Sequence, residues 1–266
     1  MSKMIHYALI TGGSSGIGYQ YARVLAQKKY NIIIVSNDDE LNHKACQQIK
    51  HEFEVDAIPF FSDLTLPDSA EQLFQFCIKN QLDVEILVLN AGMFFFREIP
   101  QTSPELAQKM LMLHVNTPSL LCVMFSNYMR EKQSGHILIT ASISAWMAFP
   151  GISFYGASKR YIKNFARSLR YEMKAYHVNV SVVCPGAIDT DLYNLTPSLR
   201  KLARRLGIMI SPERLAKKAI QAMFQKRFIR IPGVFSKLSV LFSVATPPFV
   251  IFWIKNYLWK KLYPNQ

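Results

Sequence analysis

The sequence predicts an α/β fold: a doubly wound parallel sheet in one domain, with helices on both faces and a helical extension at the C-terminus. Three observations predict it. From Tyr7 to Thr190, short apolar runs alternate with stretches whose apolar residues recur at helical spacing. The runs are continuous, as in Asn31-Ile-Ile-Ile-Val35, which fits strands buried on both faces. Each cluster able to carry chemistry falls just after a run, and open parallel sheets bind ligand at the carboxyl ends of their strands.

The 266 residues suffice for one large domain with a well-buried core. An apolar fraction of 50% and an aromatic fraction of 12% exclude a disordered chain. Cys46, Cys77, Cys122 and Cys184 lie far apart in apolar surroundings, so neither a metal site nor a disulfide framework is expected. With no signal peptide at the N-terminus, the expectation is a cytoplasmic protein with reduced thiols, which its tail can bring to the periphery of a membrane. Net charge is +13, from 31 Lys and Arg against 18 Asp and Glu. No nucleic-acid motif accompanies that excess, which is concentrated between Arg200 and Lys261, so nucleic acid is not an expected partner.

Taken in order, Tyr7-Ala-Leu-Ile10 is a short strand leading into Thr11-Gly-Gly-Ser-Ser-Gly-Ile-Gly18. A helix follows, with Ile17, Tyr21, Val24 and Leu25 on one face. In that context Gly12 permits a tight turn, Gly16 lets backbone approach a pyrophosphate, and Gly18 lets helix pack on strand. The helix-start amides then face the phosphates, making Gly12, Ser14, Ser15, Gly16, Ile17 and Gly18 candidate cofactor contacts. The spacing lacks the Gly-Lys-Ser/Thr ending of a nucleotide-hydrolysing loop; a plain glycine-rich turn is the alternative.

The second run ends at Ser36-Asn37-Asp38, where an adenine ribose would lie. A helix to about Phe53 and a strand near Ala57–Phe61 lead to Asp63-Leu64, where a carboxylate could accept from an adenine amino group, cap the next helix or face water. After a helix from about Pro67 to Asn80, Val84–Leu89 closes on Asn90-Ala91-Gly92, small enough for a ligand to approach backbone. A long helical stretch from about Ser103 to Glu131 contains Asn116-Thr-Pro118. Pro118 cannot donate to the carbonyl of His114, so a kink is expected there. Carbonyls freed near Asn116 could hold a water linked to Lys159; alternatively Asn116 caps a second, shorter helix.

The run His136–Ala141 ends at Ser142, and the helix beyond carries Tyr155-Gly-Ala-Ser-Lys159. Four residues apart, a phenol and an ammonium share one helix face. The ammonium favours the phenolate, so the phenol can exchange a proton with a carbonyl or alcohol oxygen near neutral pH. A hydroxyl at Ser142 could hold the same oxygen. Val178–Val183 is the next strand, stopped by Pro185-Gly186, and the loop through Ile188 and Thr190 could wrap a nicotinamide.

Together TGGSSGIG at 11–18, Asp63-Leu64, NAG at 90–92, Asn116, Ser142, Tyr155-x3-Lys159 and Pro185-Gly186 resemble the short-chain dehydrogenases/reductases in order and spacing. The resemblance implies a Rossmann fold, nicotinamide hydride transfer and a tetrad of Asn116, Ser142, Tyr155 and Lys159. In that family the tyrosine is the general acid/base, the lysine also binds the nicotinamide ribose, the serine orients the carbonyl and the asparagine holds a relay water. Members preferring NADP usually carry a basic residue in the glycine loop or at the position of Asn37. Here stand Ser14, Ser15 and Asn37, so NADP or NAD stays open. The missing acid at Ser36 tilts the expectation towards NADP, and Asp38 pulls slightly back.

Beyond residue 208 come a helix starting at Ser211-Pro-Glu-Arg214, a last strand at Phe228–Ile231, and then an uncharged run from Leu238 to Ile254. A spanning helix needs roughly 20 apolar residues, and Pro247-Pro248 breaks this run. Two short helices over the cleft or on a membrane surface are expected, with Trp253, Tyr257, Trp259, Lys260, Lys261 and Tyr263 as an interfacial anchor. Packing on the domain or a partner subunit is the alternative. The division is a catalytic unit over 1–233 and an extension over 234–266. The expected function is an NAD(P)-dependent oxidoreductase interconverting a ketone and a secondary alcohol on an apolar, lipid-like small molecule, in a homo-oligomer. The rival is a non-catalytic dinucleotide sensor or membrane-associated scaffold on the same fold.

Overall fold

Seven parallel strands form the central sheet in the order β3-β2-β1-β4-β5-β6-β9. They are β1 (Tyr7–Thr11), β2 (Asn31–Ser36), β3 (Ala57–Phe61), β4 (Val84–Leu89), β5 (Gly135–Thr140), β6 (Val178–Val183) and β9 (Ile229–Arg230). A separate parallel pair joins β7 (Ala187–Ile188) to β8 (Met209–Ile210). This computed structural model describes residues 6–188 and 209–262, with side chains as far as Tyr257. Thr190 and the basic stretch Arg200–Arg205 lie outside the described residues.

Alternation along each strand divides the core in two. Leu9, Ile33, Val35 and Leu87 face α3 (Ser69–Lys79), α5 (Thr117–Lys132) and α6 (Ser153–Met173). Ala8, Ile10, Ile32, Ile34 and Ile86 face α1 (Gly16–Gln27), α2 (Asp39–Phe53) and α7 (Pro212–Phe224). Each fully buried aliphatic side chain contributes about 1.5–3 kcal/mol, which is what holds the helices on both faces of the sheet. All four cysteines are free and buried.

The strand order reverses between β1 and β4, and the cleft described below opens at that switch point. The long helical stretch is built in three parts: α4 (Pro104–Leu111), a π-helical turn over Met112–Asn116, and α5. Pro118 supplies no N–H to the carbonyl of His114, and the ladder relaxes so that Thr117 N–H bonds the carbonyl of Met112. Beyond α7 and β9, α8 (Val234–Ala245) and α9 (Pro248–Leu262) meet at a 115° bend around Pro247-Pro248. No single described helix is long and apolar enough to cross a membrane, though this bent pair reaches that length together.

Candidate active site

A cleft of about 720 Å³ lies at the carboxyl ends of β1, β2, β4, β5 and β6. Gly12, Ser14, Ser15, Gly16 and Ile17 form one rim, with Ser36, Asn37, Asp63 and Leu64 at one end. Ser142, Tyr155, Lys159, Pro185, Gly186 and Ile188 stand at the other, and Asn90, Ala91 and Gly92 form the middle.

The glycine loop is held by side chains on the neighbouring strand. Asn90 Nδ2 donates to the carbonyls of Thr11 and Gly12 at 3.3 Å, and Thr11 Oγ1 accepts from the amides of Asn90 and Ala91. Gly12 sits at φ +64°, and a Cβ there would lie 2.9 Å from Ala91 Cα. A Cβ on Gly18 would come within 1.9 Å of the Gly12 carbonyl oxygen, so helix and turn close only on glycine. Ser15 precedes α1 without capping it by its side chain, and the first turn carries no acid. The amides at the start of α1 therefore face the cleft uncapped, a fit for a diphosphate.

At the opposite end of the site, α6 presents Tyr155 half-buried and Lys159 at 6% exposure. Lys159 Nζ lies 5.6 Å from the centroid of the Tyr155 ring and donates to the carbonyl of Thr140 at 3.2 Å. Burial pushes the Lys159 ammonium down to about 8, against a smaller opposing pull from Cys184. Ser142 Oγ accepts from Ser144 N–H at 3.1 Å, which leaves its own proton to donate into the cleft. Phe94 stands edge-on to Tyr155 at 5.0 Å between centroids, an apolar wall.

Asn116 is not brought into this group. Its side chain is exposed, and it does not cap α5. Residues two apart on a helix point about 200° apart, so only one can face inward. The inward stripe runs through Ala107, Met110, His114, Thr117 and Leu121, and it selects His114 at 3% exposure. His114 Nε2 accepts from Met93 N–H at 2.9 Å, and Nδ1 lies 3.0 Å from Ser158 Oγ. Burial, together with the charge of Lys159, holds the imidazole well below its ordinary value. The i, i+3, i+4 stripe was the available signal for this residue.

Two further cleft-lining positions make hydrogen bonds of their own. Ser36 is buried with its hydroxyl donating to Asn42 Oδ1 at 2.8 Å, while Asn37 beside it is exposed. Asp63 Oδ1 accepts from both the amide and the hydroxyl of Thr65, making a local turn and not a helix cap. The cleft is also lined by Met93, Lys109, Leu113 and Pro212, none of which the motifs marked.

A model of the short chain dehydrogenase family matches residues 6–198. The chain belongs to this family of oxidoreductases. It is 29% identical over 257 residues to hydroxysteroid dehydrogenase-like protein 1 of Gallus gallus, covering 94% of this chain and 75% of the relative. The human protein named inactive hydroxysteroid dehydrogenase-like protein 1 is 27% identical over 261 residues, 96% of this chain and 77% of that protein. Among solved structures, a short-chain dehydrogenase from Sphingobium yanoikuyae in complex with NADPH superposes with a TM-score of 0.78 at 22% identity, over 90% of this chain and 92% of that one. At that identity the likeness speaks for the fold.

Proposed function

We propose that the chain is an NAD(P)-dependent reductase that interconverts a ketone and a secondary alcohol on an apolar, lipid-like substrate, with NADP as the preferred cofactor. The observation that carries this reading is the group of Ser142, Tyr155 and Lys159 at one end of a cleft whose other end is a glycine cradle. Gly12, Gly16 and Gly18 with the α1 amides would hold the diphosphate, Asn37 and Asp63 the adenosine end, and Lys159 the nicotinamide ribose. Ile188 and the loop beyond it, to which Thr190 belongs, would close over the nicotinamide. Bound there, the cofactor supplies or accepts a hydride.

The chain's own residues handle the oxygen. Ser142, oriented by the bond it accepts from Ser144 N–H, donates to the substrate oxygen and fixes its position. Tyr155 O–H delivers the proton to that oxygen in reduction and removes it in oxidation. Lys159 places a positive charge one helical turn away, which lowers the cost of the phenolate.

Support for an apolar substrate comes from Met93 and Phe94 beside Tyr155, and from a second cavity of about 620 Å³. That cavity is walled by Met147–Ser153, by Glu98–Pro100 and by Ile251 of α9. Lys255 of α9 pairs with Glu98 at 2.8 Å, so the extension helps to enclose it. Phe242, Phe249, Phe252 and Trp253 point outward at 64% exposure or more. With Lys237 and Lys255 nearby and no acid after Glu213, residues 234–266 make a basic, apolar extension of the 1–233 catalytic unit, suited to the surface of an anionic membrane. The absence of an acid at Ser36 and the NADPH-bound neighbour support NADP.

A non-catalytic dinucleotide-binding protein is the second reading, favoured by the relative named inactive. A sensor has no use for Tyr155. Following NADPH consumption with ketones of increasing chain length tests the choice. The wild type should consume NADPH faster with longer chains, while Tyr155→Phe should lose turnover and keep nucleotide affinity within about three-fold. Equal turnover in the two proteins overturns the reductase reading.

A further inference from the structure

The mechanism above leaves unused a buried side chain beside Tyr155 that is bonded at both ring nitrogens. His114 Nε2 lies 2.9 Å from the backbone N–H of Met93, a group that can only donate, so Nε2 carries the lone pair. In a neutral ring the proton then sits on Nδ1 and points at Ser158 Oγ, 3.0 Å away. Ser158 passes its own proton to the carbonyl of Tyr155 at 2.9 Å. Each donor meets one acceptor along the whole chain. It runs from Met93, in the loop after β4, to the first turn of α6.

Two neighbours reinforce the assignment. A Cβ on Gly92 would press on His114 Nε2 at 3.0 Å, so the glycine of the Asn90-Ala91-Gly92 motif makes room for this ring. The Tyr155 ring packs against the imidazole at 5.7 Å between centroids, close to perpendicular. A doubly protonated imidazole would oppose N–H to N–H at Met93 and set a second cation beside Lys159, so this arrangement admits only the neutral ring.

We propose that His114, held as the neutral Nδ1–H tautomer between Met93 N–H and Ser158 Oγ, is the positioning residue that fixes Tyr155 and Lys159 against the loop after β4. The inference rests on the reductase reading for its effect on rate and on geometry alone for the tautomer, so the two are tested separately.

In the full chain, His114→Ala should lower kcat about 10- to 100-fold with KM for the ketone within about three-fold, the scale of a misplacement of about 1 Å. His114→Gln keeps an acceptor for Met93 and a donor for Ser158, and should recover kcat to within about ten-fold of wild type. Full activity in His114→Ala overturns the proposal. Should His114→Ala fail to fold, Ser158→Ala breaks the same chain and should show the same split between kcat and KM. Nitrogen NMR of the cofactor-free wild type reads the tautomer without turnover. A protonated Nδ1 and a bare Nε2, unchanged between about pH 5 and 9, are expected. The opposite tautomer, or a ring that titrates in that range, overturns the clamp. A wild type that reduces no ketone would sink the reductase reading and leave the NMR result to decide the clamp.

Discussion

Replacing Lys159 with Met should make the cofactor-free protein more stable while destroying its turnover. Burial moves the Lys159 ammonium from 10.5 to about 8. At about 1.4 kcal/mol per unit, keeping that charge costs the folded wild type about 3 kcal/mol. Met removes the charge and fills most of the space, but it gives up the bond from the ammonium to the Thr140 carbonyl, worth about 1.5 kcal/mol. The balance is a gain of about 1.5 kcal/mol near pH 7, or about 4 °C in Tm for a domain of this size. The folded pKa lies below the unfolded one, so the unfolded chain holds its proton more tightly. The wild-type penalty is therefore full below about pH 8, shrinks as pH rises, and is gone above about 10.5. Urea unfolding across that range measures it. A Lys159→Met protein no more stable at neutral pH, or one whose advantage persists undiminished at high pH, refutes the argument. NADPH at about 100 times its Kd should restore about 2.7 kcal/mol to the wild type and little to the variant, whose ribose contact is lost.

Asn37→Arg should shift the ratio of NADPH to NADH affinity upward by about ten-fold, and Ser36→Asp should shift it downward, at some cost in stability through Asn42. If fluorescence titration finds the ratio unmoved in both, the ribose lies elsewhere. Gly18→Ala drives a methyl into the Gly12 carbonyl, and should weaken nucleotide binding at least ten-fold, by about 1.4 kcal/mol or more, in the same titration. On vesicles of anionic lipid, the full chain should co-sediment at low salt and release as salt rises, and Phe242→Asp with Phe252→Asp should abolish sedimentation. A wild type that stays in the supernatant ends the membrane proposal.

What the sequence revealed most directly were features whose geometry is local. Gly12 and Gly18 announce a strand–turn–helix because only glycine fits the turn and the contact it makes. Tyr155 and Lys159 share a face because a helix repeats every 3.6 residues, whatever surrounds it. Contacts across the fold were not legible. His114 acquires its partners from Met93 and from Ser158, which no pattern around position 114 announces, and a π-helical turn lies between reading the spacing and knowing which face looks inward. The motif spacing pointed to Asn116, yet its side chain faces solvent. Ser36 looked like a ribose contact by its place at a strand end, but its hydroxyl turns to Asn42 on the following helix. Proline at 247 and 248 signalled a break in the tail; the 115° angle depends on what α8 and α9 rest against.

The sheet is finished differently at its two borders, and both finishes discourage a neighbour from joining it. At one border, β3 carries Pro59 in its middle, opposite Ile34. Ser62 N–H bonds inward to the carbonyl of Ser36, so by the alternation of the strand Pro59 lies on the side that faces away from β2. The outer side of β3 thus lacks a donor where an incoming strand would need one. At the other border, β9 offers only Ile229 and Arg230, too short a template to extend. Among the described residues, chains meeting during refolding or at high concentration therefore find only an interrupted ladder at one border and a very short one at the other. A sheet whose interior strands are this apolar would otherwise be a hazard of aggregation, and protection rests on one imino acid and one abbreviated strand. Pro59→Val is the change that would expose it.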